Sequence, residues 1–254
     1  MKYHLDTIPV WDTYHEESEC PFCILEHKSE TVYVDSFLGG SVMEPATRIE
    51  VNDKGFCPHH NQLLYQAQNR LGLALMTHTH ILETIKKLEK QTEDLEKAAE
   101  NPDKGLGLFT KKLSGGDSNL KQAAQKYGTW LANHKNQCII CDRLHNALKQ
   151  FAYTFIHLWG HDKEFHKVFQ QSRGFCFSHL PLILDMSSEC LNSAKLAEFL
   201  RELLPIQMNN IDRLEKELYW FTQKFDYKNQ DKPWGNSKDA LPRMLQKLTG
   251  TYME

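Results

Sequence analysis

The chain has 254 residues, 41% of them hydrophobic and 25% charged, and 30 lysines and arginines stand against 33 acids for a formal charge of −3. This composition excludes a mainly disordered chain, and the charge balance argues against a general nucleic-acid binder or a protein of anionic membrane surfaces. No apolar run approaches the roughly 18 residues a membrane-spanning helix requires, and no apolar stretch follows Met1–Asp6 as in a secretory leader, so a cytoplasmic setting is expected.

In chain order, Cys20-Pro21-Phe22-Cys23 is a CxxC pair, the spacing with which two thiolates wrap one ion. A short extended stretch is expected at Arg48–Val51. Gly55-Phe56-Cys57-Pro58-His59-His60 follows, and its glycine suits a tight turn of positive φ. A helix starting near Cys57 would place Cys57 and His60 on one face. Ile81, Ile85, Leu88, Thr92 and Leu95 recur at helical spacing, which predicts a long amphipathic helix. Asn101–Gly105 and Leu113–Ser118 are rich in turn formers and read as a linker.

The second half repeats the order. Cys138-Ile139-Ile140-Cys141 is a second CxxC, followed by an apolar helical stripe at Leu144, Leu148, Phe151, Phe155 and Leu158. Gly174-Phe175-Cys176-Phe177-Ser178-His179 is a second CxxH string. Ile211, Leu214, Leu218, Phe221 and Phe225 form another stripe, in a helical run from about Ala194 that Pro205 should break or kink. At the end, Asp239 can cap a helix with Pro242 in its first turn, an apolar face at Leu241, Met244, Leu245 and Leu248, and Gly250 as its stop.

The offsets show that the halves are related. Cys20 to Cys138 and Cys23 to Cys141 are both 118 positions, and Cys57 to Cys176 and His60 to His179 are both 119. Ile85–Lys90 resembles Ile211–Lys216 at an offset of 126, so the second helix gains seven residues, about two turns, and nearly keeps its face. An internal duplication follows. The expected architecture is mainly α: two duplicated helical zinc-binding repeats docked into one body, with a C-terminal helical tail. The segments would be 1–100, a linker at 101–120, 121–226, and a tail at 227–254.

Each half supplies three thiolates and one imidazole. The nearest grouping in sequence is Cys20, Cys23, Cys57 and His60 on one ion and Cys138, Cys141, Cys176 and His179 on the other. Three thiolates, a neutral histidine and a divalent ion sum to −1, so each set is nearly self-neutralising. Closed Cys3His sets are characteristic of structural zinc, so two zinc ions are expected; an iron–sulfur cluster with one histidine ligand is the alternative. His27 and His145 each lie four residues past a CxxC and could ligate or support a ligand, although a partly exposed helix histidine is the plainer reading. His157 and His161 stand four apart, the spacing of a metal-binding pair, but no HExxH pattern accompanies them, so surface or interface histidines are expected. Cys190, the seventh cysteine, is expected to be buried in a helix.

The doubled CxxC…GFCxxH frame resembles an uncharacterised bacterial family of Firmicutes type, classed as a domain of unknown function. The resemblance includes Glu30–Asp35, Arg48, Phe165, and the endings Phe225–Asn229 and Lys232–Ala240. It implies the cysteine frame and a bacterial cytoplasmic setting, and it transfers no catalytic residue.

No catalytic constellation is visible, so the expected function is a binding or regulatory module with two structural zinc sites. Its partner would be an unknown protein or small molecule, and the heptad-like helices could also build an oligomer. One alternative is a metalloenzyme with an open metal position, for which Tyr33, Asp35, Glu44 and Arg48 could supply acid–base groups. Another is a thiol-based redox sensor.

Overall fold

A computed structural model describes residues 6–100 and 119–251. Of the expected linker at 101–120, residues 101–118 lie outside the described residues, and Asn119 and Leu120 already open a helix. Among those described there are no strands and eleven α-helices. They are α1 (Thr7–Tyr14), α2 (Pro21–Leu38), α3 (Pro45–Lys54), α4 (Pro58–Gln66), α5 (Arg70–Glu100), α6 (Asn119–Lys135), α7 (Ile139–His161), α8 (Lys163–Gln170), α9 (Leu180–Cys190), α10 (Ser193–Gln223) and α11 (Ala240–Thr249). No described helix is long and apolar enough to cross a membrane.

Two local expectations are corrected. Arg48–Val51 is not extended but lies inside α3, which has Pro45 in its first turn and ends on Gly55 at φ +64°. The β-branched Ile49 and Val51 favour a strand locally, and the helix termini override that propensity. The break expected as one outcome at Pro205 does not occur, because α10 continues from Ser193 to Gln223 with the proline inside it. Phe199 and Leu203 before the proline, and Gln207 and Leu214 after it, are all buried, so packing holds the helix through the missing donor.

The chain divides into two compact units, Met1–Glu30 with Leu144–Glu254, and Thr31–Arg143. These units do not follow the repeat boundaries, since the division falls inside α2 and α7.

The first unit is built on an aromatic core. Phe155 on α7 sits at its centre, with ring centroids of Phe165, Phe169, Phe175, Phe199 and Phe22 at 5.3–6.3 Å in edge-to-face arrangements. Such pairs add about 0.5–1.5 kcal/mol each beyond the area they bury. Phe22 lies between Cys20 and Cys23, and Phe175 immediately precedes Cys176, so this core fixes both cysteine strings of the unit. The expected C-terminal helix is α11, with Gly250 in the left-handed region at φ +76° as its stop. It packs on α10.

In the second unit, α3 and α6 pack on the long helix α5. Arg48 joins α3 to α5, its guanidinium donating to the Leu75 carbonyl at 2.9 Å and to Thr79 Oγ1 at 2.6 Å. Phe56, beside Cys57, meets Phe37 of α2 edge-on at 5.5 Å.

Candidate metal centres

The four cysteine strings adopt two repeated local geometries. Cys20 and Cys138 each stand one residue before a helix, α2 and α7, with the second cysteine on its first turn. Cys57 occupies the N-cap of α4, and Cys176 precedes the turn that leads into α9. Helix N-termini carry partial positive charge and free N–H groups, which favour thiolate over thiol.

The glycines expected at tight turns do have positive φ, +64° at Gly55 and +74° at Gly174. A side chain at either would also collide with a neighbour: a Cβ on Gly55 would lie 2.5 Å from His80 Nε2, and one on Gly174 2.6 Å from Gln207 Oε1. Gln207 then holds the loop as a backbone segment would. Its Oε1 accepts from the Phe175 N–H at 2.9 Å and its Nε2 donates to the Phe175 carbonyl at 2.8 Å. His80 Nδ1 pairs with the Asn52 carbonyl at 3.1 Å. Sequence reasoning missed both residues. Gln207 carried a usable signal, a polar residue four after Leu203 and seven before Leu214 on a face that also holds Phe199.

The eight cysteines and histidines do come together, but not within the halves. One group is Cys20, Cys23, Cys176 and His179; the other is Cys57, His60, Cys138 and Cys141. The grouping by half is thereby corrected. Each CxxC meets the CxxH of the other half, and each group lies inside one compact unit. Neither His27 nor His145 belongs to either group.

Within each group the ligand atoms lie within 4.8 Å of one another. Zinc–sulfur bonds of about 2.3 Å and zinc–nitrogen bonds of about 2.0–2.1 Å give a tetrahedron S···S edges of about 3.8 Å and S···N edges of about 3.6 Å. In the first group, Cys23 Sγ to Cys176 Sγ is 3.6 Å, and His179 Nδ1 lies 3.7, 3.7 and 3.1 Å from Cys20, Cys23 and Cys176. In the second, Cys57 Sγ to Cys141 Sγ is 3.8 Å, and His60 Nδ1 lies 3.2, 3.3 and 3.4 Å from Cys57, Cys138 and Cys141. Both groups could hold a metal ion, and both would offer histidine through Nδ1.

The electrostatics fit a cation. Hydrogen bonding from Cys20 and then Cys23 holds the Cys176 thiol far below its ordinary range, helped by His179 and opposed by burial. Cys23 is driven far up by Cys176 and then Cys20, with burial adding. Burial opposes charge on His179, but bonds to Cys176, Cys20 and Glu26 raise it to about 12. In the second group burial pushes Cys138 up, yet His60 and the backbone amides of Cys141 and Cys57 bring it down to about 6. Burial and the charge on Cys138 push Cys141 up. Each set thus concentrates thiolate charge that protons or a metal must compensate.

The first group is backed by a network of charged side chains. His179 Nε2 faces Glu26 Oε2 at 3.3 Å, an arrangement that fixes ring orientation and raises the basicity of a ligating nitrogen. Glu19, beside Cys20, is fully buried, and its carboxylate pairs with Arg213 at 2.6 Å, Arg173 at 3.2 Å and Arg243 at 3.3 Å. Arg213 and Arg243 also share Glu217, at 3.0 and 2.6 Å. The buried Lys247 of α11 donates to the backbone carbonyls of Glu19 at 2.9 Å and Arg173 at 2.5 Å. The Gly250 carbonyl lies 3.4 Å from Cys23 Sγ. The C-terminal helix therefore closes over this set of ligands.

Other sequence candidates lie elsewhere. Arg48 is engaged with α5, as described. His157 and His161 stack at 4.3 Å and join no ligand group. Cys190 is not buried as expected; it is the exposed last residue of α9.

The chain belongs to a family of unknown function (DUF6062), whose model matches residues 1–254. No curated protein and no solved structure matches it.

Proposed function

We propose that the protein holds two structural zinc ions, one in each Cys3His group, and serves in a reducing, cytoplasmic setting as a binding or regulatory module. The observation that carries this reading is the pair of sets in which three sulfurs and one imidazole nitrogen converge within 4.8 Å, with S···S distances of 3.6 and 3.8 Å close to the edge of a zinc–thiolate tetrahedron. A donor spread within 4.8 Å suits one ion better than an iron–sulfur cluster. Four protein donors complete the tetrahedron, so the reading places zinc in folding rather than in substrate activation.

On this reading each ion ties segments distant in sequence. The first would join Cys23 to Cys176, 153 residues apart, and the second Cys57 to Cys141, 84 apart. Structural zinc contributes on the order of 10 kcal/mol in small domains, so the ions would supply much of the cohesion of each unit. The helices around them would then present a surface to a protein or small-molecule partner.

Elemental analysis of the purified chain, with circular dichroism before and after chelation, tests this. The expected result is two zinc ions per chain and loss of helical signal when both are removed. Absence of zinc, or an unchanged spectrum after complete removal, would contradict it.

A further inference from the structure

The two ligand sets differ in accessibility. Every ligand of the first is buried: Cys20 and Cys176 are 0% exposed, Cys23 1% and His179 4%. In the second only His60 and Cys138 are buried; Cys57 is half-buried and Cys141 exposed. The two accessible sulfurs are also neighbours, Cys57 Sγ and Cys141 Sγ lying 3.8 Å apart. The second set therefore combines a protected side, made by His60 and Cys138, with a more open side made by two adjacent cysteines.

Resting on the zinc reading above, we propose that the second set is a redox-labile zinc site, in which a hydroperoxide oxidises the adjacent, accessible Cys57 and Cys141 while the buried first set keeps its ion. The Cys141 thiolate attacks one oxygen of hydrogen peroxide. The O–O bond breaks, a sulfenic acid forms, and hydroxide leaves and takes a proton to become water. The Cys57 thiolate then attacks the sulfenic sulfur. An S–S bond forms, the S–O bond breaks, and the departing hydroxide is protonated to a second water. The two sulfurs lose two electrons and the peroxide gains two. With two of its three thiolates consumed, the site releases its divalent ion. The same peroxide has no path to the sulfurs of the first set, because reactivity of a thiolate requires access as well as charge.

The full-length zinc-loaded protein is first assayed for metal content and then treated with hydrogen peroxide. Zinc release is followed with a chromophoric chelator, and cysteine states are mapped by alkylation and mass spectrometry. The expected result is two ions at the start, one of them released at least about tenfold faster than the other, and a disulfide between the Cys57 and Cys141 peptides. Cys20, Cys23 and Cys176 should still alkylate as free thiols once denatured. Cys190→Ser removes the other exposed thiol and should leave the release rate unchanged. Release of both ions at one rate, first release from the buried set, or a disulfide joining a different pair overturns the proposal while leaving two structural ions in place. Fewer than two ions before oxidant overturns the zinc reading itself.

Discussion

Gly174→Ala gives a quantitative test of how the first set of ligands is held. Gly174 sits at φ +74°, and an added Cβ would lie 2.6 Å from Gln207 Oε1. A non-glycine residue in the left-handed region costs roughly 1–2 kcal/mol. Relieving the collision displaces Gln207 from its two hydrogen bonds with Phe175, each worth about 1 kcal/mol net. The total is about 3–4 kcal/mol, which for a chain of this length lowers the melting temperature by roughly 10 °C. Gly128→Ala is the matched control. Gly128 lies in α6 with nothing within 4 Å of an added Cβ, so alanine there should be neutral or stabilising by up to about 1 kcal/mol. Thermal melts followed by circular dichroism read both. The Gly174→Ala, Gln207→Ala double variant should lose less than the sum of the singles, because the two residues share one contact. A Gly174→Ala change within about 0.5 kcal/mol of the parent would refute the reasoning.

Three further outcomes are expected. Glu26→Gln should weaken zinc at the first set by about 10- to 100-fold in chelator competition, through loss of the carboxylate on His179 Nε2, and leave the second set unchanged. Glu19→Ala leaves Arg173, Arg213 and Arg243 facing an empty position; because these arginines keep 15–34% side-chain exposure, the cost should fall near the lower end for broken buried pairs, about 3 kcal/mol by denaturant titration. Asp239 ends in a pH-dependent contact: the hydrogen bond from Arg243, with the charge of that guanidinium, holds its carboxyl below the ordinary 3.8. Its contribution is therefore present above pH 3.8 and lost as pH falls below it, so the stability difference between the parent and Asp239→Asn should shrink on acidification. A difference that grows toward acid would reverse that sign.

The sequence was informative about which residues meet and silent about which share an ion. Equal offsets of 118 and 119 include all eight residues that cluster, although His27 and His145 share the 118 offset and join neither group, and the duplication selects His60 over His59. The same offsets are satisfied whether each CxxC meets its own CxxH or that of the other half. Chain entropy discriminates weakly: closing Cys23 to Cys176 over 153 residues rather than to Cys57 over 34 costs only about 1.3 kcal/mol more. The placing of Phe22 and Phe175 around Phe155 outweighs such a difference, and aromatic packing of that kind has no sequence period. The long helices were legible from their stripes. The helix α3 was not, because Ile49 and Val51 favour strands locally. The Glu19 network was not either, because Arg173, Arg213 and Arg243 come from three distant segments and read singly as surface charges.

The crossed arrangement of ligands is tested most directly by anomalous scattering at the zinc edge from crystals of the purified protein. Two zinc peaks are predicted, one enclosed by Cys20, Cys23, Cys176 and His179, the other by Cys57, His60, Cys138 and Cys141. A peak bridging Cys23 and Cys57, or no peak at either position, would contradict the account.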